Sequence, residues 1–150
     1  REERTTEGGL DVFKQRGAIE SVIAMAKEKG IKMSLFINAD EKVVEASNEL
    51  GVAQIELHTG EYCHATGAKV AEELGRIERA AARAHALGLE VAAGHGLTRH
   101  NVGPVVAIPE VGEVDIGRSV IADAVFFGLD RAVRDLRYAI VRGATNRKAV

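Results

Sequence analysis

A glycine separates a helical pattern from an apolar run at three places in this chain, Gly30, Gly51 and Gly88. Glycine readily takes the left-handed conformation that ends a helix, so each one indicates that a helix stops and a strand follows. The apolar runs predict four strands, near residues 31–37, 53–58, 89–93 and 113–116. Strands that alternate with helices form a parallel sheet with right-handed crossovers. The chain is therefore predicted to be an α/β protein.

The segments between these runs carry apolar residues at helical spacing, which predicts amphipathic helices that cover the sheet. Their apolar faces are Ile19, Val22, Ile23 and Ala26; Val70, Leu74, Ile77, Ala81 and Ala84; and Leu129, Val133, Leu136 and Ile140. Asp40 is a predicted N-cap for a further helix. A short helix is predicted from Asn101 to Ile108, where Pro109 follows.

The 150 residues carry no Pro/Ser-rich linker and no change of composition, which predicts a single domain over residues 1–150. A complete (β/α)8 barrel takes about 250 residues, so four strands amount to about half of one. The chain opens at Arg1 with a polar segment that ends in a glycine pair, as a loop entered midway would. This opening favours a part of a larger barrel over a small open sheet.

Composition limits the partners. The 20 basic and 22 acidic residues are intermixed and give a net charge of −2, which argues against a nucleic-acid partner. No run of 18 apolar residues is present, which argues against a membrane partner. Cys63 is the only cysteine and has no partner for an internal disulfide, so a cytoplasmic location is predicted. An inert thiol is the common role of such a residue, and a nucleophile is the alternative.

Two strands end in chemically active side chains, where α/β proteins bind their ligands. Side chains alternate along a strand, so Glu56 should face away from Ile55 and Leu57 and towards the lumen of a barrel. Burial there would raise the pKa of Glu56 towards neutrality, which suits proton exchange. A structural carboxylate paired with an arginine is the alternative. His95 lies between two glycines and can give or accept a proton, the alternative being a hydrogen-bonded loop histidine.

The last two strands end in groups that suit a phosphate. Gly96 and the pair Gly117–Arg118 can bring backbone amides close to an anion, and Arg118 adds a fixed cation. Inorganic phosphate and phosphorylated small molecules are therefore the predicted ligands. The histidines match no compact metal-ligand spacing, so no metal is predicted.

Four segments of the sequence resemble the pyridoxine 5′-phosphate synthase family, in the same order along the chain. They are TTEGGLDV (5–12), SLFINAD (34–40), IELHTG (55–60) and GHGLTRHNV (94–102). The likeness covers nearly the whole chain and corresponds to the later part of that family's barrel. The resemblance therefore implies the C-terminal half of a (β/α)8 TIM barrel.

The resemblance also implies an activity. The family condenses 1-deoxy-D-xylulose 5-phosphate with 3-amino-1-hydroxyacetone 1-phosphate, gives pyridoxine 5′-phosphate with release of phosphate and water, uses no cofactor and forms homo-oligomers. By resemblance, Glu56 is an active-site glutamate, His95 the general acid and Thr5 a substrate-binding threonine, although Thr5 could instead cap the following helix. Arg118 departs from the family pattern, which has histidine there. Two alternatives stay open: another phosphate-binding barrel enzyme, and a non-catalytic half-barrel that serves only in assembly.

Overall fold

A computed structural model describes residues 8–147 as one four-stranded sheet with seven helices. The strands are β1 (Ser34–Asn38), β2 (Gln54–His58), β3 (Glu90–Gly94) and β4 (Val111–Asp115). The helices are α1 (Arg16–Glu28), α2 (Glu41–Glu49), α3 (Gly60–His64), α4 (Lys69–Ala86), α5 (Val102–Val106), α6 (Arg118–Phe127) and α7 (Leu129–Ala144). The strands pair in parallel in the order β1-β2-β3-β4, which confirms the predicted α/β class with four parallel strands.

Local sequence explains where several elements begin. The Asp40 carboxylate accepts hydrogen bonds from the amides of Lys42 and Val43, so it caps α2 as predicted. Strand β1 begins at Ser34, three residues after the predicted start, and β4 begins at Val111, two residues before it. A register irregularity between Val91 and Ala92 accompanies the earlier start of β4. The short helix α3 was not predicted, because five residues are too few to show a helical period.

The core lies between one face of the sheet and the helices. Ile55 and Leu57 of β2 are fully buried, while Glu56 and His58 on the opposite face are half-buried. Helix α4 contributes Ile77 and three alanines to this core. The alternation that predicted the orientation of Glu56 is therefore present.

Three helices, α1, α6 and α7, expose apolar side chains to solvent, those of α1 being Val22 and Met25. No residue of α6 is buried, and Ile121, Val125 and Phe126 are 61%, 77% and 80% exposed. Val22 of α1 and Leu129 and Val133 of α7 are also exposed, although the sequence predicts all three on faces that cover the sheet. None of the helices within residues 8–147 has both the length and the apolar content needed to cross a bilayer.

The register aligns the ends of the strands. His58 pairs with Asn38 on one side and with Gly94 on the other, and Gly94 pairs in turn with Asp115. All four strands thus end at one edge of the sheet. The side chains that follow them are brought together there.

Candidate active site

A cavity of about 550 Å³ lies at this edge, on the face of the sheet away from the core. Its lining includes five of the six residues selected from the sequence, namely Glu56, His95, Gly96, Gly117 and Arg118. The sixth, Thr5, lies outside the described residues. The structure therefore places the candidate acid–base groups and the candidate phosphate groups around one space, large enough for a small phosphorylated molecule.

Glu56 lies at the middle of β2, between Phe36 of β1 and Ala92 of β3. A side chain at Gly94 would collide with Glu56 Oε1, so glycine is required there for the carboxylate to lie across β3. Burial, together with smaller contributions from the carboxylates of Asp115 and Glu113, raises the pKa of Glu56 to about 6. No lysine or arginine among residues 8–147 forms an ion pair with it. The alternative of an arginine-paired structural carboxylate thus has no support in the described part of the chain.

His95 occupies a sharp turn directly after β3. Its φ is 80°, and it is the one non-glycine residue with positive φ in the part of the chain that the structure describes. Gly96 follows with the same φ of 80°. The imidazole lies against His58, with ring centroids 4.7 Å apart, and 6.4 Å from the centroid of Phe36. The turn thereby brings a titratable ring to the rim of the cavity.

Two side chains contact this turn, that of Thr59 before α3 and that of Cys63 within it. Thr59 Oγ1 lies 2.8 Å from the carbonyl oxygen of Gly94 and 2.7 Å from that of His95. Cys63 lies beneath Gly96, and its Sγ is 3.5 Å from the same His95 oxygen. Burial raises the pKa of the Cys63 thiol, so it is held in the protonated form. A neutral thiol beneath the turn packs and donates weakly but is a poor nucleophile.

The opposite wall of the cavity is the start of α6. Gly117 is the N-cap and Arg118 the first residue of this helix, whose leading amides have no partners within the helix. Ser119 Oγ donates to the carbonyl of Leu97 at 2.8 Å, which ties α6 to the segment after His95. Within residues 8–147 no carboxylate forms an ion pair with Arg118. A cation and a helix start at one wall are suited to an anionic group.

Asp115 is a titratable residue of the cavity that sequence reasoning missed. It is the last residue of β4 and lines the cavity, and a side chain at Gly94 would lie 3.2 Å from its Cβ. Burial raises the pKa of Asp115, and Glu113 adds to the rise. The alternation rule that selected Glu56 in β2 would also have selected Asp115, had it been applied to β4.

No group of three His, Cys, Asp or Glu side chains within the described range has the arrangement of a metal site. The cavity thus offers protonatable side chains, backbone amides and one guanidinium. Such a set can move protons and hold a phosphate group.

Fold and site together define an α/β protein of the parallel-sheet class that carries titratable side chains and a helix N-terminus at the carboxyl ends of its strands. The family model described as "Pyridoxal phosphate biosynthesis protein PdxJ" matches residues 1–142. The chain belongs to this family, which confirms the resemblance found in the sequence.

Curated relatives named pyridoxine 5′-phosphate synthase are similar over most of the chain. The Sulfurihydrogenibium sp. (strain YO3AOP1) protein is 48% identical over 141 residues, which cover 94% of this chain and 58% of the relative. The Ruegeria pomeroyi protein is 49% identical over 141 residues, covering 91% and 57%. The chain thus spans less than two thirds of the length of these relatives.

One solved structure shares the fold at low identity. A chain in the crystal structure of the Amycolatopsis orientalis BexX/CysO complex matches with a TM-score of 0.65 and 15% identity. The match covers 91% of this chain and 51% of that one. At this identity the similarity concerns the fold alone.

Proposed function

We propose that the complete protein carrying this sequence is a pyridoxine 5′-phosphate synthase. It would condense 1-deoxy-D-xylulose 5-phosphate with 3-amino-1-hydroxyacetone 1-phosphate and release phosphate and water. The observation that carries the proposal is that Glu56, His95 and the Gly117–Arg118 pair line the same cavity, in a chain of this family. Imine formation, dehydration and ring closure all require proton transfers at one enclosed place, and these side chains supply them.

Glu56 is the proposed proton-exchanging carboxylate. With a pKa of about 6, roughly a tenth of the carboxyl groups are protonated at pH 7, so both forms are present during turnover. The desolvated environment that raises the pKa also strengthens the interaction of the carboxylate with positive charge that develops on the substrate. His95 is the proposed general acid, because its imidazole lies at the rim of the same cavity.

The phosphate groups of the substrates are proposed to bind at the start of α6 and at Gly96. The amides that follow Gly117 are available to donate to an anion at this helix start, and the Arg118 guanidinium would supply positive charge. Thr5 is proposed to contact substrate, by resemblance to the family. Arginine in the place of the family histidine keeps a donor and makes the positive charge independent of pH near neutrality.

The four strands are proposed to be the C-terminal half of a (β/α)8 barrel, with residues 1–150 as one part of a single domain. Strands β1 and β4 are the outermost strands of the sheet, and in the described residues each lacks a pairing partner on one side. Such unpaired strands are normally paired with another strand or covered. The exposed apolar residues of α6 would likewise be covered, by the rest of the barrel or by another copy in a homo-oligomer. The proposed enzyme is cytoplasmic and needs no cofactor.

The test is steady-state formation of pyridoxine 5′-phosphate by the complete protein and by its His95→Asn variant. Asparagine keeps much of the side-chain volume but removes the titratable proton. Turnover should fall by ~10²–10⁴-fold, the usual contribution of general acid–base catalysis, while phosphate affinity stays near that of the wild type. Near-normal turnover in the variant would remove His95 from this role. A wild-type protein that binds phosphate but makes no product would favour another phosphate-binding barrel enzyme.

A further inference from the structure

Thr59 is a buried threonine at the N-terminus of α3 whose hydroxyl does not cap the helix. It occupies the N-cap position of α3, where a hydroxyl ordinarily accepts a hydrogen bond from an amide of the first turn. Its side chain makes no such capping bond. With an exposed fraction of 1%, it is one of two buried polar side chains within residues 8–147, the other being Ser47. The Thr59 hydroxyl is directed instead to the turn that carries His95.

The two carbonyl groups of that turn are satisfied by different donors. The Thr59 backbone N–H donates to the carbonyl of Gly94 at 2.8 Å. Because the backbone N–H already donates to the Gly94 carbonyl, the single hydrogen of the hydroxyl is available for the carbonyl of His95, 2.7 Å away. The Cys63 thiol, 3.5 Å from the same oxygen, is a weaker donor. Thr59 is therefore the principal support of the His95 carbonyl among the described residues.

This support acts on a backbone conformation that needs it. A non-glycine residue at a φ of 80° is disfavoured and persists only where the surrounding structure fixes it. Fixing the His95 carbonyl fixes the peptide plane that follows it, and with it the direction of the Cα–Cβ bond. The ring then lies beside Gly60, where an added Cβ would be 3.0 Å from His95 Cδ2. A small residue at position 60 leaves that place open for the imidazole.

We propose that Thr59 is a positioning residue for His95, whose hydroxyl holds the left-handed turn and thereby directs the imidazole into the cavity. The catalytic part of this inference rests on the proposed function, in which His95 is the general acid. The geometric part does not, because it concerns only the conformation of residue 95. The two parts can therefore be tested separately.

Thr59→Val keeps the shape of the side chain and removes the hydroxyl, and Thr59→Ser keeps the hydroxyl and removes the methyl group. Ser47→Ala is the matched control, since Ser47 is also buried and donates to a backbone carbonyl, that of Val43, at 2.8 Å within α2. In the complete protein, Thr59→Val should lower kcat by ~10²-fold, the effect of a displacement of about 1 Å, with little change in KM. Thr59→Ser and Ser47→Ala should retain kcat near that of the wild type.

Crystal structures of the wild type and Thr59→Val give the second measurement. The variant should lose the positive φ at residue 95 and the contact between the His95 ring and Gly60. An unchanged turn, an unchanged kcat in Thr59→Val, or an equal loss in Thr59→Ser would overturn the proposal. If Thr59→Val does not fold, Thr59→Ala is measured in the same way and judged by the same outcomes. If the wild type makes no product, the proposed function fails, and the crystal structures still decide whether Thr59 positions His95.

Discussion

Glu56→Gln should make the protein more stable at neutral pH while it abolishes most of the activity. Burial, aided by the carboxylates of Asp115 and Glu113, raises the pKa of Glu56 from 4.5 to about 6 in the folded state. The folded state therefore binds this proton more tightly than the unfolded state. The stability that protonated Glu56 contributes is fully present below pH 4.5 and is lost as the pH rises through about 6. At neutral pH the ionised carboxylate is thus a destabilising group.

The size of the effect follows from the same values. A rise from 4.5 to about 6 corresponds to about 2 kcal/mol at full strength. Glu56 is only half-buried, so solvent screening reduces this to roughly 1 kcal/mol. Glutamine has nearly the same shape and no charge to desolvate. The free energy of unfolding of the variant at about pH 7.5 should therefore exceed that of the wild type by roughly 1 kcal/mol.

Urea unfolding of the complete protein at about pH 7.5 and about pH 4 measures the effect and its sign. The gain should vanish at the lower pH, where the wild-type carboxyl is protonated as well. Glu78→Gln, on an exposed position of α4, is the control and should stay within ~0.5 kcal/mol of the wild type at both pH values. Turnover of Glu56→Gln should fall by ~10²–10⁴-fold. A variant that is less stable at pH 7.5, or a gain independent of pH, would refute the reasoning.

Three further predictions concern the cavity and the packing. Asp115→Asn removes a charge that raises the pKa of Glu56. The inflection in the pH profile of kcat/KM that reports the ionisation of Glu56 should therefore move to lower pH. An inflection at the wild-type pH would exclude the electrostatic coupling between Asp115 and Glu56. Arg118→Ala should raise KM for the phosphorylated substrates by ~10–100-fold with a smaller effect on kcat, and a loss confined to kcat would contradict a phosphate role. Gly143→Ala places a Cβ 2.7 Å from the backbone of α5 and should destabilise by ~1–3 kcal/mol. Gly75→Ala in α4, where an added Cβ would contact only the end of the Arg79 side chain at 3.4 Å, should stabilise by up to ~1 kcal/mol in the same urea titration.

Sequence patterns predicted the architecture well because they record burial directly. Ile55 and Leu57 alternate with half-buried residues along β2, and the same alternation places Glu56 on the cavity face. The ends of elements were less accurate, as at β1 and β4, because strand limits depend on pairing partners that lie far away in the sequence. The exposure of Leu129 was missed, since a helical period shows which residues are apolar but not what covers them.

The candidate site was predictable at the level of residue types and less so at the level of geometry. The glycines around His95 indicate a sharp turn, but they do not reveal that His95 itself takes the positive φ. The hydroxyl of Thr59 is equally hidden, because its position before α3 favours a capping role that the folded chain does not use. Both features depend on the parallel register of β2 and β3, which brings residue 59 beside residue 94. Local sequence does not encode that contact.

Three departures from local preference therefore meet at one edge of the sheet. Glu56 is a desolvated carboxylate, His95 has a left-handed backbone, and Thr59 stands at an N-cap without capping. At Asp40, by contrast, local preference and fold agree, because its carboxylate caps α2 in the ordinary way. A folded chain keeps such costs only where the rest of the structure outweighs them, and function is the usual reason for keeping them. Substitutions that relieve the cost at Glu56 or in the backbone of His95 should therefore stabilise the fold and reduce turnover together, a trade-off that substitutions at the outer helices should not show.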